Sequence, residues 1–238
     1  MLEERRKQLY KIYKVWETEL KSVCPQIIAE GYSYPYYLHI PDDWFERNVR
    51  IMIVGEEGAG TKHYDETIEN AQKFNKEYLQ SQLNHGDANY GKNCSQFWHR
   101  FRKIAAIPGA SIVWNNLDKI HISRKGNGKL KVKDRKALHQ TPTKILQEEI
   151  RLLEPTHVVF FGWYGFSLQN ECPNVFDKLY PGGPKDYSVW ESEKMASLSI
   201  DGIHYIFTYH PGWRQKGKDY EDKVLKIVEK ALEKNTAE

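Results

Sequence analysis

The sequence predicts an α/β fold, a three-layer α/β/α sandwich built on a central four-stranded parallel sheet. Three observations lead there. Ile51-Met-Ile-Val-Gly55, Thr156-His-Val-Val-Phe-Phe-Gly162 and Tyr205-Ile-Phe-Thr-Tyr209 are short, continuously apolar runs, the pattern of strands covered on both faces. Segments of helical periodicity separate the runs, and alternation of this kind implies parallel pairing through right-handed crossovers. Finally, 238 residues with 40% hydrophobic and 13% aromatic content can bury a large core, and no linker-like stretch divides them. The whole chain, 1–238, is therefore read as a single domain with an N-terminal helical extension over about residues 1–48.

The elements follow in order. Leu9, Ile12, Tyr13, Trp16 and Leu20 recur at helical spacing among charges, so residues 2 to about 24 form an amphipathic helix that packs on its own domain. Residues 32–41, rich in proline and tyrosine, form an ordered loop into the first strand. Residues 62–83 are helix-compatible until the Asn/Gly-rich stretch 84–91 breaks them. Phe97, Phe101 and Ile104 mark a helix over 95–106, and Ser111-Ile-Val-Trp114 is the second strand. Thr141, as N-cap ahead of Pro142, opens a helix that runs to Leu153. The third strand is 156–162. Residues 187–191 and 195–200 suggest a short hairpin, the fourth strand covers 203–209, and an apolar stripe from Val224 to Leu232 marks a closing helix.

Composition excludes several classes. No long apolar run is present, which argues against a membrane span. The charged start Met-Leu-Glu-Glu-Arg-Arg-Lys is unlike a secretory signal, so cytoplasmic residence is expected. Three widely spaced cysteines form no Cys-x-x-Cys pair, and the nine histidines show no helical ligand pair, so neither a metal nor another cofactor is expected. Net charge is only +3, but residues 123–136 hold seven basic residues against one acid. This loop, Arg124 to Lys136, suits phosphate contacts, and equally a solvated surface; Arg100, Arg102 and Lys103 lie on the helix before it.

Chemistry-bearing residues collect where strands end. In open α/β sheets ligands bind at the carboxyl ends of the strands. Gly55-Glu56-Glu57-Gly58 follows the first strand, Asn115-Asn116-Leu-Asp-Lys119 the second, and His210-Pro211-Gly212-Trp213-Arg214 the last. Adjacent glutamates leave an extended chain on opposite sides, so at most one of Glu56 and Glu57 faces any one site. Pro211 restricts His210 to an extended or turn conformation.

In these three motifs, over roughly residues 49–232, the chain resembles the uracil-DNA glycosylase superfamily. The resemblance implies cleavage of the N-glycosidic bond of uracil or a related damaged base, as in DNA repair by base excision. It gives Glu57 the role of the water-activating acid, with Glu56 as the alternative, and gives His210 the role of stabilising charge on the departing base. Asn116, with Asn115 as the neighbouring candidate, is implied to read the base edge through its paired donor and acceptor. Gly55 and Gly58 permit close backbone approach, and Phe97 or Trp98 offers a ring for stacking. Pro211, Trp213 and Arg214 fall on the loop that meets DNA in family members. The cluster-bearing branches of the superfamily need four cysteines and are excluded. Two departures stand out. Gly58-Ala59 occupies the place of the usual Pro-Tyr, implying a wider pocket, and Gly212 replaces the serine after His-Pro. Two further readings use the same residues: a noncatalytic module binding nucleic acid or a modified base, and a hydrolase or binder of free nucleotides. In the first two, single-stranded or duplex DNA is the partner, held by the crevice and the basic loop.

Overall fold

The computed structural model describes residues 1–23, 36–57, 67–84, 96–119, 145–162, 177, 195–212 and 219–234. The fold is mixed α/β. Five strands, β1 (Val49–Glu57), β2 (Ala110–Asp118), β3 (His157–Phe161), β4 (Met195–Ile200) and β5 (Ile203–Thr208), form one sheet in the order β2-β1-β3-β5-β4. Among the described residues, five α-helices accompany them: α1 (Leu2–Val23), α2 (Ile68–Asn84), α3 (Gln96–Ala105), α4 (Ile145–Leu153) and α5 (Tyr220–Lys234). A short 3-10 turn covers Trp44–Glu46.

The four expected strands are present and mutually parallel, but the sheet has a fifth, antiparallel strand at its edge. Residues 195–200 pair with 203–208, Met195 opposite Thr208 and Ile200 opposite Ile203, so the described hairpin joins 195–200 to the strand that follows it. The turn between them is Asp201-Gly202, with φ of 51° and 79°. Both values lie in the left-handed region that a two-residue hairpin of right-handed twist requires, and Asp-Gly tolerates it. Residues 187–191 and the N-cap Thr141 lie outside the described residues.

Burial explains the parallel runs. Ile51 to Val54 and Val158 to Phe161 are all fully buried, because helices cover both faces of the sheet. On one face, Met52, Val54, Asn115, Phe160 and Phe207 lie together, Phe160 and Phe207 stacked with ring centroids 4.4 Å apart and Asn115 bonded to Glu149 of α4, which packs on α1. Gly55, Asn116, Phe161 and Thr208 belong to the other face, under α3 and α5. The N-terminal segment contributes to the same core. Leu9, Tyr13 and Trp16 of α1 and Tyr36, Tyr37, Leu38, Ile40 and Trp44 after it are buried in the main cluster. The Trp44 indole N–H donates to the Leu153 carbonyl at 2.7 Å, tying this segment to the end of α4. Among the described residues, no helix is long and apolar enough to cross a membrane.

The strand order determines where a ligand can enter. From β1 the chain crosses to β2 on one side, then passes back over β1 to β3 on the other. The helices of these two crossovers therefore lie on opposite faces of the sheet, as right-handed connections in opposite directions require. Between β1 and β3 the connections part at the carboxyl ends, which makes this the topological switch point of the sheet.

Candidate functional site at the carboxyl ends of the strands

The pairing registers align the three motifs. Gly55 pairs with Asn116, Val54 with Phe160, and Phe161 with Thr208, so Gly55, Asn116, Phe161 and Thr208 form one row across four strands. Glu57 pairs with Asp118 two residues further out, and His210 lies two residues beyond Thr208. At the end of β3, Gly162 has φ 148°, a conformation that side chains rarely adopt. It lets the chain leave the sheet at the switch point.

Asn115 and Asn116 have different jobs because successive strand residues face opposite sides. Asn115 is locked in the core on the α4 face. Its Nδ2 donates to Glu149 Oε2 at 2.8 Å, and its Oδ1 accepts from the Lys119 ammonium and from the backbone N–H of Asn116 at 2.8 Å. Lys119 also donates to both Glu149 oxygens, at 2.9 and 2.7 Å, and the Tyr13 hydroxyl completes the carboxylate's partners. All four groups are buried. Burial first, then the Glu149 charge, holds the Tyr13 phenol well above its usual range, so it remains a donor. Asn115 thus supports its neighbour and is not placed to read a ligand.

Asn116 is 1% exposed, on the α3 face. Its Oδ1 accepts from the Trp114 indole N–H at 3.1 Å. Since an indole nitrogen can only donate, this bond fixes which end of the amide is oxygen. Nδ2 is buried without a hydrogen-bond partner. A Cβ at Gly55 would lie 2.8 Å from Asn116 Oδ1 and 3.0 Å from the Phe97 ring, so only glycine allows the amide and the ring to approach the strand this closely. Phe97, half-buried, meets Phe161 edge-on at 5.2 Å between centroids. Trp98 is buried against Phe101 and Trp114 and offers no exposed ring for stacking.

The last strand brings His210 to the same end of the sheet, exposed. The backbone N–H of Gly212 donates to His210 Nδ1 at 3.1 Å. Nδ1 therefore carries a lone pair, and in the neutral ring the hydrogen sits on Nε2, which becomes a donor. A Cβ at Gly212 would stand 3.1 Å from Nδ1 and 3.3 Å from Cε1, so a serine after His-Pro would crowd this imidazole. Pro211 is buried beneath the turn.

Arg100, expected beside the basic loop on the helix before it, turns inward instead. It is fully buried and is not available to phosphate. Its guanidinium forks onto Glu221 with two bonds of 2.7 Å and donates to Thr208 Oγ1 at 2.9 Å and to the Tyr209 carbonyl at 2.7 Å. The Tyr209 N–H in turn donates to the Tyr220 hydroxyl at 2.7 Å, and burial raises that phenol to about 12. α3 thus carries Phe97 at the row of strand ends and, one turn later, clamps the strand that delivers His210. An arginine three residues after a candidate ring was visible in the sequence; partners more than a hundred residues away were not.

The Glu56 and Glu57 backbones lie in the last residues of β1, and their side chains are outside what the structure describes. Gly58, Trp213, Arg214 and the basic loop Arg124 to Lys136 also lie outside the described residues. Away from this site, a cavity of about 600 Å3 lies between α2, α3 and the start of β2, bordered by His39, Lys76, Arg102 and Ser111. Burial, then the Lys76 and Arg6 charges, lowers His39 to about 4. Among the described residues no cluster of three or more metal-ligating side chains occurs. A scan against protein-family models and a search of curated proteins return no match to this chain.

Proposed function

We propose that this protein hydrolyses the N-glycosidic bond of uracil or a related damaged base in DNA. The observation that carries the reading is the Asn116 amide. It is a buried donor without a partner, held beside Gly55, where a side chain would collide with the amide and the Phe97 ring, on the strand next to the switch point of the sheet. An unpaired buried donor of this kind is destabilising by roughly 1–3 kcal/mol, an expense that a ligand carbonyl would relieve. The resemblance of the three strand-end motifs to uracil-DNA glycosylases supplies the ligand class.

In this reading, the base enters beside Phe97 and Gly55, and Asn116 Nδ2 donates to one of its carbonyl oxygens. As the bond from C1′ to the base lengthens, its electron pair moves onto the base while positive charge develops on the sugar. The Nε2–H of His210 donates to the anionic base, and a preorganised donor at such a position is worth roughly 3–4 kcal/mol. Glu57, with Glu56 as the alternative, holds the attacking water and stabilises the sugar cation. Water adds at C1′ as its proton passes to the Glu57 carboxylate and from there through solvent to the anionic base, leaving the free base and an abasic site. Arg100 acts through others: it fixes the Tyr209 backbone from which His210 projects.

The test is a strand-cleavage assay on oligonucleotides containing uracil, hypoxanthine or mismatched thymine, single-stranded and duplex. Excision by the parent that falls at least a hundredfold in Glu57→Gln, His210→Ala and Asn116→Ala is expected. Absence of excision with oligonucleotide binding retained would replace this reading with that of a noncatalytic binding module.

A further inference from the structure

We infer that Trp114 sets the base preference of this site by locking the Asn116 amide in one orientation, so that the site takes bases presenting a carbonyl and rejects those presenting an amino group. The inference rests on the glycosylase reading above and concerns a residue of β2 that would itself touch no substrate.

An asparagine amide is nearly symmetric in shape and can rotate by half a turn to offer either an acceptor or a donor. A site that reads a base edge through such a group discriminates only if something prevents the rotation. Here the restraint is the Trp114 indole, which donates to Asn116 Oδ1 at 3.1 Å. Rotation would place the NH2 group against the indole N–H, donor facing donor, inside a region where both residues are at least nine-tenths buried. That loses one hydrogen bond and leaves two buried donors in conflict. Oδ1 also lies over the Gly55 backbone. The unpartnered group left for a ligand is therefore Nδ2. Opposite it, the 4-carbonyl of uracil or the 6-carbonyl of hypoxanthine accepts, while the amino groups of cytosine and adenine oppose donor to donor.

The lock is itself rigidly held. Trp114 packs edge-on against Trp98 at 4.9 Å and is tilted against Tyr36 at 4.7 Å, and the Tyr36 hydroxyl donates to the Trp114 carbonyl at 2.6 Å. An indole at this position keeps its N–H direction without depending on the amide it restrains. This geometry makes Trp114 a positioning residue with an effect on selectivity, separable from its contribution to packing.

Trp114→Phe tests it, because the variant keeps a ring in the same surroundings and removes only the N–H and part of the indole. The readout is the ratio of kcat/KM for uracil over cytosine, and for hypoxanthine over adenine, at one position in the same oligonucleotide. A packing defect lowers both members of each pair alike and leaves the ratios unchanged. Loss of the lock lowers the ratios, by roughly tenfold or more given the usual worth of one base-edge contact. Unchanged ratios overturn the inference. A second measurement keeps it testable without turnover: titration of the parent and of Trp114→Phe with uracil and cytosine as free bases, following the Asn116 side-chain amide by NMR. If the parent excises nothing yet binds uracil in preference to cytosine, and the variant loses that preference, the glycosylase reading fails while the lock stands. If neither base shifts the amide in the parent, both fail.

Discussion

Replacing Lys119 with methionine removes the only cation from a buried cluster while keeping most of its volume. The Lys119 side chain is 5% exposed and the Glu149 side chain 0%. In the variant, the Glu149 carboxylate would keep Tyr13 and Asn115 as donors and lose both bonds from the ammonium. Breaking a buried ion pair from one side destabilises by about 3–5 kcal/mol, and the two surviving donors put the expected loss at the lower end, about 3 kcal/mol. In a chain of this length, each kcal/mol moves Tm by about 2–4 °C, so a drop of about 6–12 °C is expected. Urea unfolding followed by tryptophan fluorescence measures the loss, with an unchanged slope indicating that the same surface unfolds. Adding Glu149→Gln to Lys119→Met removes the stranded charge and should return about 1–2 kcal/mol, a coupling that a double-mutant cycle isolates. A Lys119→Met variant within about 1 kcal/mol of the parent, or a double variant as unstable as the two singles summed, would refute the account of this cluster as a mutually dependent unit.

Arg100→Met should destabilise by about 3 kcal/mol, since the bonds from the guanidinium to Glu221, Thr208 and the Tyr209 carbonyl are lost, and should shift the His210 imidazole resonances, while exposed Lys103→Met does neither; an unmoved His210 would sink the clamp. Stability should also fall in acid through His157. Burial lowers this fully buried imidazole from 6.5 to about 4, an effect the neighbouring His204 reinforces. Its folded value is thus the depressed one, so its contribution is complete above about pH 6.5 and lost as the pH falls towards 4, about 3 kcal/mol in all. In His157→Phe, unfolding measured from pH 7 to 4.5 should show a shallower decline than in the parent, and an equal decline would exclude His157 as the source.

The parallel strands were legible because their signal is local: a strand covered on both faces is continuously apolar, and Ile51 to Val54 and Val158 to Phe161 are. The pairing of 195–200 with 203–208 is legible in Asp201-Gly202, a turn dipeptide between two strand-like runs that favours a two-residue hairpin. At the site, the motifs identified Asn115 and Asn116 together but not the division of labour between them, because that depends on which face of β2 turns towards which helix. Lys119 closes the second strand-end motif and Glu149 lies within a predicted helix, and no local pattern links the two. Their ion pair spans thirty residues and exists only once β2 and α4 meet. Arg100 shows the same limit in stronger form. A basic residue on a helix near a basic loop suggests phosphate contact, and only the arrival of α5 and β5 turns it inward.

The adjacency of Asn115 and Asn116 has a consequence for how this chain can diverge. Two identical side chains, one step apart on a strand, face opposite sides of the sheet, one bonded to Glu149 and the other to Trp114. Deleting or inserting one residue in β2 upstream of them would exchange their sides. The crevice would then receive an amide with no indole to orient it, and the core would receive one displaced from Glu149. One-residue length changes within β2 ahead of Asn115 should therefore be purged from descendants of this protein.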